Sequence, residues 1–340
     1  MKLKKEYIIL ALIIIGISVY LYMRETDRTL YQTPDIPKVA KKDLTRLHIK
    51  KDDISIVLNK KNNSWYIEPE NYPADADKVE HMLDAIEDLT LTAMVSESKN
   101  FNRYDLNEEA KIKVQAWNNN DLKRDFDVGK TAASFRHTFV KLADDERVFH
   151  AEGNFRSKFD TTTDMLRDKR VLSFEPEEIH EIQITKDQQA VTCVRAQVPA
   201  EDENTETEQT PSSTSAGQNE IWQTTDGRQC DEAIVRQLLT ALSDLQCDKF
   251  IDDRNKEDFT YALFTLRLKG SQEYKLSIFA KTNQGDSDYP AISSGNDYAF
   301  LLSDSKADRI MKDPSEMLKK AVKNDAALES EEPQRSSKKQ

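Results

Sequence analysis

An internal repeat limits the folds available to this chain more than any other feature of its sequence. Five apolar residues near the start of its globular part match five later ones at one constant spacing: Leu44, Leu47, Ile49, Ile56 and Leu58 correspond to Ile179, Ile182, Ile184, Val191 and Cys193. A chain of 340 residues is long enough for two domains of ordinary size. We therefore expect two tandem copies of one folding unit.

Two further series of residues support the repeat, each with its own spacing. The first surrounds a helix and pairs Asp75, Val79, Met82, Leu83, Ala85, Ile86, Asp88 and Leu89 with Asp231, Val235, Leu238, Leu239, Ala241, Leu242, Asp244 and Leu245. The second pairs Ala110, Val114, Phe126, Val148, Met165 and Leu166 with Ala262, Leu266, Ile278, Phe300, Met317 and Leu318. We draw the first copy over residues 44–174 and the second over residues 175–322.

The hydrophobic periodicity of the first copy predicts one main helix among many strands. Alternation with period two predicts strands near 44–50, 54–60, 64–68, 92–97, 111–117, 122–128, 137–142 and 147–150. Apolar residues at helical spacing predict a helix over 75–89, and short helical pieces are expected near 152–158 and 163–168. Strands that follow one another in sequence favour an α+β fold with mostly antiparallel sheets.

Four residues stand at matching places in the two copies and are the expected anchors of the repeat. Asp75 follows Pro73 and is the expected N-cap of the first helix, with Asp231 at the matching position. Trp65 and Trp222 lie on the strand before each helix. Large aromatic side chains dominate core burial, so we expect both to pack on the helices, with ligand stacking as the alternative.

The segment Tyr7 to Met23 contains no charged residue and is the expected membrane anchor. It corresponds to about 25 Å of helix, near the lower limit for crossing a bilayer. A cleaved signal peptide is the alternative, but its apolar core is usually shorter and ends at small residues, whereas Tyr20 and Tyr22 stand here. We therefore predict an anchor over 1–25 that contacts the lipid bilayer. Its small residues Gly16 and Ser18 are candidate contacts for a partner helix.

The charges on either side of this segment favour a cytoplasmic N-terminus. Three lysines precede it and two arginines follow it: Lys2, Lys4, Lys5, Arg24 and Arg28. The bulk of the chain is then expected to be periplasmic or otherwise extracytoplasmic. A stalk over 26–43, a disordered insertion over 198–219 and a polar tail over 323–340 complete the organisation, because none of them has the apolar content of a core.

Composition and motifs exclude several classes of function. The net charge of −12 argues against nucleic-acid binding. Three cysteines, Cys193, Cys230 and Cys247, are an odd number without metal-ligand spacing, which argues against a framework of several disulfides and against a zinc knuckle. The sequence Gly129-Lys130-Thr131 resembles the end of a phosphate-binding loop, but Arg124 replaces the required first glycine, and we expect a hairpin turn there instead.

Candidate catalytic groups are scattered. No two of the five histidines, His48, His81, His137, His150 and His180, have the spacing of a metal motif. Acidic clusters occur at Asp52–Asp53, Asp144–Asp145–Glu146 and Asp252–Asp253, and we expect them to be solvated turns. A pair of glycosidase-type carboxylates stays open as an alternative, since separation in space is not visible in a sequence. We expect no cofactor and no metal.

Several short motifs in this order resemble the bacterial domain of unknown function 4340 family. They are Trp65-Tyr66-Ile67, Tyr72-Pro73-Ala74-Asp75-Ala76-Asp77, Tyr104-Asp105-Leu106, Asp127-Val128-Gly129-Lys130 and the linking segment Arg170-Val171-Leu172-Ser173-Phe174. Asp105 stands where the family usually has glycine, and because Asp tolerates a positive φ we expect the turn to be kept. The resemblance implies a membrane-anchored or exported protein, often associated with ABC transport systems of the gliding-motility type, and it supplies no catalytic residues.

These features together predict a non-catalytic, extracytoplasmic accessory or scaffold protein of a membrane complex. An apolar anchor without ionisable groups does not move substrate itself, so any role in transport requires contact with a partner protein. Two alternatives remain open: an enzyme that acts on envelope polymers through acidic residues, and a binding protein with its ligand between the two repeats.

Overall fold

The computed structural model describes residues 13–20, 33–197, 220–283, 285 and 287–319. These residues divide between two compact units, Met1–Asp168 and Lys169–Gln340. The division precedes Arg170–Ser173, a few residues before the boundary drawn from the sequence, because this strand pairs with Asp244–Gln246 in the second unit.

The first unit is built on one nine-stranded antiparallel sheet with the spatial order β4-β3-β2-β1-β6-β7-β8-β9-β5. Its strands are β1 (Arg46–Lys51), β2 (Ile54–Lys61), β3 (Ser64–Glu68), β4 (Tyr72–Pro73), β5 (Leu91–Ser96), β6 (Ile112–Asn118), β7 (Asp121–Thr131), β8 (His137–Leu142) and β9 (Val148–Glu152). Its helices are α1 (Ala76–Glu87), α2 (Arg156–Phe159) and α3 (Thr163–Leu166), with 3₁₀ turns at Lys41–Asp43 and Phe101–Tyr104.

The second unit has an eight-stranded antiparallel sheet with the order β13-β12-β11-β16-β17-β18-β19-β15, and a separate two-stranded sheet of β10 and β14. Its strands are β10 (Arg170–Ser173), β11 (Glu181–Lys186), β12 (Gln189–Gln197), β13 (Glu220–Thr224), β14 (Asp244–Gln246), β15 (Lys249–Ile251), β16 (Phe264–Lys269), β17 (Glu273–Ile278), β18 (Asp288–Ser293) and β19 (Ala299–Ser303). Helices α4 (Glu232–Leu242) and α5 (Asp304–Ile310) accompany them, with 3₁₀ turns at Pro176–Glu178 and Lys256–Asp258. The predicted α+β class with antiparallel sheets is confirmed.

The two large sheets place corresponding strands in the same order. Strand β1 lies between β2 and β6, just as β11 lies between β12 and β16. The register agrees as well: Leu47 pairs with Leu58, and Ile182 pairs with Cys193. In the second unit the main helix directly follows the strand that carries the tryptophan, whereas in the first unit the short strand β4 lies between them.

Burial alternates along the strands, as the period-two pattern predicts. In β1 the side chains of Leu47 and Ile49 are buried, while their neighbours are partly or fully exposed. Helix α1 buries the apolar stripe of the sequence in the same core: Val79, Met82, Leu83, Ala85 and Ile86. A second core forms around α4 in the other unit. One face of each sheet therefore packs against a helix through residues that the sequence pattern identifies.

The strand pairing corrects two of the residue matches drawn from the sequence. The β6–β7 connection contains a bulge and is two residues longer than the β16–β17 connection, counted between matching pairs. Phe126 pairs with Val114, and Leu276 pairs with Leu266, so Phe126 corresponds to Leu276 and not to Ile278. Phe300 likewise matches Phe149 and not Val148, because each pairs with the central residue of the preceding strand.

Residues 13–20 are helical and their side chains are exposed. None of the helices among the described residues combines the length and the apolar character needed to cross a membrane. The ends of the predicted anchor over 1–25, part of the predicted stalk over 26–43, the predicted insertion over 198–219 and the predicted tail over 323–340 lie outside the described residues.

Candidate functional site

The residues proposed as repeat anchors hold the start of the main helix in each unit. In the first unit, the carbonyl of Trp65 accepts a hydrogen bond from the N–H of Ala74 at 2.9 Å. The next residue, Asp75, donates its own N–H to the carbonyl of Leu166 at 2.8 Å. Its side chain accepts from the N–H of Lys78 at 3.1 Å, which makes it the N-cap of α1. The strand, the helix start and the end of the unit are thereby joined.

The second unit repeats this arrangement, with one additional bond to the capping side chain. The carbonyl of Trp222 accepts from the N–H of Cys230 at 2.9 Å, and Asp231 donates to the carbonyl of Met317 at 2.8 Å. The Asp231 side chain accepts from two backbone N–H groups, those of Ala233 at 3.0 Å and Ile234 at 3.3 Å. These geometries make both aspartates helix caps, and the Asp75 carboxylate also pairs with Nζ of Lys78 at 2.9 Å.

The two tryptophans are buried to the same extent but have different surroundings. Trp65 is 8% exposed and belongs to the core cluster of the first unit. Trp222 is 9% exposed, and it also lines two cavities of about 440 and 400 Å³. The guanidinium carbon of Arg195 lies 5.3 Å from the centre of the Trp222 ring, and Nη1 of the same group pairs with Glu220 at 3.3 Å. Both tryptophans therefore act as core anchors, and Trp222 also faces space for a ligand.

A disulfide between Cys193 and Cys230 joins β12 to the residue that precedes the cap of α4. The corresponding residues of the first unit, Leu58 and Ala74, are both buried without such a link. Cys247 is a buried thiol. The sequence argument, which considered only frameworks of several disulfides, missed this bond. The repeat itself contains a signal for this bond. Cys193 matches the core residue Leu58, and Cys230 directly precedes the aspartate that caps α4.

A charged cluster lies on the face of the first sheet opposite α1. Asp127 on β7 is only 2% exposed, and the ammonium groups of three lysines surround its carboxylate. The Nζ atoms of Lys141 and Lys111 lie 3.3 and 3.5 Å from Oδ2, and that of Lys113 lies 3.9 Å from Oδ1. Oδ1 has no hydrogen-bond partner among the described residues. The carboxylate therefore neutralises several cations at one buried point.

Neighbouring carboxylates complete the charge balance of this cluster. Asp125 accepts from Lys113 and from the amide of Gln115, each at 2.7 Å. Burial alone lowers the pKa of Lys111, but its hydrogen bond to Glu108 and the charge of Asp127 raise this pKa above its ordinary value overall. Lys111 thus stays charged. Sequence reasoning missed the cluster because strand pairing brings together residues far apart in the chain.

Gly129 lies within β7, so the hairpin turn expected at Gly129-Lys130-Thr131 is wrong. The strand continues to Thr131. A Cβ atom at Gly129 would lie 2.2 Å from the carbonyl oxygen of Tyr104, so the close approach of that segment requires glycine. Asp105 directly follows the 3₁₀ turn that ends at Tyr104. Its φ of 54° and ψ of 39° confirm the expected left-handed turn.

The histidines lie apart from one another or against aromatic rings. Nε2 of His48 lies 2.9 Å from the Ser55 hydroxyl, and the rings of His137 and His150 stack at 5.3 Å. Burial lowers the pKa of His150, and the nearby His137 adds to this effect. In the part of the chain that the structure describes, no three metal-ligating side chains cluster. Of the acidic clusters, Asp145 pairs with Arg147 at 2.6 Å.

A cavity of about 720 Å³ opens beside Arg124 in the first unit. Arg124 is 7% exposed; its Nη1 donates to the carbonyl of Lys123 at 3.1 Å, and its Nη2 donates to the carbonyl of Pro37. Ile36 and Val39 from the segment before β1 form one wall, and Leu89 after α1 forms another. In the sequence, Arg124 stands out only as a departure from a phosphate-loop motif.

The predicted membrane contacts Gly16 and Ser18 both lie in the helical stretch over 13–20. A Cβ atom added at Gly16 would meet nothing within 4 Å. Nothing in the described structure therefore occupies the position of a partner helix at Gly16.

Comparison with known proteins gives one match. The model of a family described as "Domain of unknown function (DUF4340)" matches residues 65–264. No curated protein and no solved structure matches the chain.

Proposed function

The chain belongs to the DUF4340 family, and from that premise we propose that it is a single-pass accessory or scaffold protein of a bacterial membrane complex, with its two units outside the cytoplasm. The partner we favour is an ABC-type transport system, as the family resemblance implies. In this proposal the protein carries out no reaction of its own and acts by contact.

The disulfide between Cys193 and Cys230 is the observation that carries the proposal. Structural disulfides persist in oxidising compartments and are rare in the cytoplasm, where thiol reductants keep cysteines reduced. Both cysteines are nearly inaccessible, at 0% and 2% exposure, as expected of a structural bond rather than a catalytic one. The bond thus supports an extracytoplasmic second unit.

The N-terminal sequence supports attachment to the membrane. The uncharged run from Tyr7 to Met23 includes residues 13–20, which are helical with exposed apolar side chains. A helix whose apolar side chains are exposed is suited to lipid or to a partner helix. We propose that this run is an uncleaved signal anchor and that Gly16 and Ser18 face a partner helix.

The two units support a scaffold role because the residues they share are structural. Trp65, Asp75, Trp222 and Asp231 hold helix starts through backbone hydrogen bonds. We infer that the units are two copies of one ancestral unit, since strand order and register agree. A duplicated, sheet-rich body gives a broad surface for partner contact without requiring a reaction centre.

Topology is the first test. A reporter that is active only outside the cytoplasm, fused after Gln340, should be active, and a reporter that requires the cytoplasm should be silent at the same point. Alkylation of thiols in whole cells under non-reducing conditions should leave Cys193 and Cys230 unmodified until a reductant is added. A cytoplasmic signal from the fusion would contradict the proposal.

Recovery of the complex is the second test. The full chain, purified in mild detergent from native membranes, should carry its partners with it, and mass spectrometry identifies them. Replacing Tyr7 to Met23 with an unrelated apolar helix should weaken this recovery, whereas removing the exported units should abolish it. Gly16→Leu is the smaller change to the same helix, and Ile13→Leu is its matched control.

The enzymatic alternative is tested on the same preparation. A purified chain that cleaved an envelope glycan or peptide at an enzymatic rate would overturn the non-catalytic proposal. Asp127→Asn and Asp145→Asn then identify which acidic cluster is responsible.

A further inference from the structure

Arg124 is a buried cation that has no anionic partner among the residues that the structure describes. Both of its hydrogen-bond acceptors, the carbonyls of Lys123 and Pro37, are neutral, and its Nε atom has no acceptor among the described residues. No described carboxylate forms an ion pair with it. A buried charge is costly unless it is paired, so this guanidinium favours an anion supplied from outside the chain.

Loss of the proton does not relieve this cost. Burial lowers the pKa of the Arg124 guanidinium below its ordinary value. Arginine nevertheless stays protonated in proteins, because its ordinary pKa is far above neutral. The planar fork of its N–H groups matches the two oxygens of a carboxylate or a phosphate.

The cavity beside Arg124 has the size and the walls of a small-molecule site. Its volume of about 720 Å³ lies within the usual range for such sites. Ile36 and Val39 pack against the core of the first unit, and Leu89 belongs to it, so this part of the wall is apolar and supported from behind. Lys38 lines the same cavity and adds a second positive charge.

Negative charges line another part of the same cavity. Glu87 and Asp88 end helix α1, and Glu152 ends β9. Oε1 of Glu87 accepts from the backbone N–H of Lys41 at 3.1 Å, while Asp88 and Glu152 are exposed. Charges of both signs thus line one cavity without neutralising Arg124. A ligand that carries one positive and one negative charge would pair with side chains of both kinds.

We propose that this cavity binds a small zwitterion, with its carboxylate or phosphate group on Arg124 and its primary ammonium group on Asp88 and Glu152. The apolar walls accommodate an aliphatic side chain between the two charges. An amino acid, a short peptide and a phosphoethanolamine headgroup share this chemistry. The binding site is independent of the accessory role, since it requires neither an anchor nor a partner.

Calorimetric titration of the full chain in nonionic detergent tests the proposal. The probes are L-leucine, leucyl-leucine and O-phosphoethanolamine, which separate the carboxylate and phosphate sources. The single-charge analogues are 4-methylvalerate, which lacks the ammonium group, and isoamylamine, which lacks the carboxylate. We expect at least one zwitterion to bind at least about tenfold more tightly than either analogue.

Substitutions connect the binding to the named residues. Arg124→Lys keeps the charge but loses the fork, and should weaken the best zwitterion about tenfold or more. The double change Asp88→Asn with Glu152→Gln alters exposed side chains only, so it should leave the melting temperature unchanged and weaken zwitterions while sparing 4-methylvalerate. Arg103→Gln, an exposed arginine of the same unit, is the matched control and should change nothing.

Three results would overturn the proposal. The first is that no zwitterion binds with a Kd below about 1 mM. The second is that 4-methylvalerate binds as tightly as L-leucine, which would make the cavity a simple anion site. The third is that the double change at Asp88 and Glu152 leaves zwitterion affinity intact, a readout that stands even if Arg124 variants fail to fold.

Discussion

Three adjacent strands of the first sheet carry Lys113, Asp127 and Lys141 side by side, whereas the matching strands of the second carry Thr265, Ser277 and Ile292. The second unit instead has a disulfide where the first has Leu58 and Ala74. Strand order and helix caps are the same in both. We infer from this difference that alternating apolar residues and capping aspartates specify the fold. The charged cluster of the first unit and the disulfide of the second are local additions to it.

The largest expected effect is the loss of the buried carboxylate in the first unit. Asp127→Ala leaves Lys111, Lys113 and Lys141 close together without the charge that neutralises them, and should destabilise that unit by about 3–5 kcal/mol. Urea unfolding of the full chain, followed by hydrogen exchange of peptides from each unit, measures it. Ser277→Ala at the matching position should cost less than about 1 kcal/mol. Equal effects at the two positions would mean that the charges contribute little.

The disulfide should follow in size. Replacing Cys193 with Leu and Cys230 with Ala gives the second unit the residues of the first and opens a link between positions 37 residues apart. We expect the second unit to lose about 2–4 kcal/mol, chiefly because the unfolded chain becomes less constrained. Reduction of the unsubstituted protein should lower the same unfolding transition. An unchanged unfolding transition in both experiments would mean that the disulfide does not stabilise the second unit.

The caps should respond alike in both units. Asp75→Ala and Asp231→Ala each remove a side-chain acceptor from the first turn of a main helix, at a cost of about 1 kcal/mol. Asp75→Asn and Asp231→Asn keep the acceptor and should cost much less. The urea midpoints of the two alanine variants check this. A much larger loss of unfolding free energy in one unit would show that the two caps contribute unequally to stability despite their shared geometry.

The smallest effect concerns pH and should appear in the first unit only. Burial lowers the pKa of His150, and that of His48 as well, so the folded protein resists their protonation. A histidine with a lowered folded pKa contributes stability above its unfolded pKa and loses it as the pH falls below that value. The urea midpoint of the first unit should therefore decrease as the pH is lowered from about 7.5 to about 5.5.

A matched substitution isolates the histidine that contributes. Leu301 occupies the place of His150 in the second unit, because Phe149 and Phe300 correspond. His150→Leu should reduce the pH dependence, whereas His81→Gln, at an exposed position on α1, should leave it unchanged. A pH dependence that persisted in the His150 variant would assign the effect to His48.

The fold was predictable from sequence wherever burial sets the pattern. The alternation at Leu47 and Ile49 and the helical stripe with its cap at Asp75 follow from local rules. The left-handed turn at Asp105 was expected from the family resemblance. Register across the longer β6–β7 connection was not predictable, because a bulge changes the count without changing the hydrophobic pattern.

The candidate sites were harder to predict, since each depends on residues brought together by pairing or folding. Asp127 and its lysines lie on neighbouring strands, and Arg124 becomes a site only when the segment around Pro37 closes over it. An arginine in line with the buried Phe126 and Val128 of β7 is a usable signal in retrospect. Its exposure, however, depends on tertiary packing that no local pattern encodes.

The Cys193–Cys230 bond makes a covalent ring of the chain between these two residues, and the acidic insertion over 198–219 lies within that ring. Cleavage of any peptide bond in the ring therefore does not separate the protein into two molecules while the disulfide is intact. A nicked chain would keep its full mass under non-reducing conditions, with β12 and α4 still tethered. Because of this one bond, proteolytic cleavage inside the insertion does not release any part of the second unit.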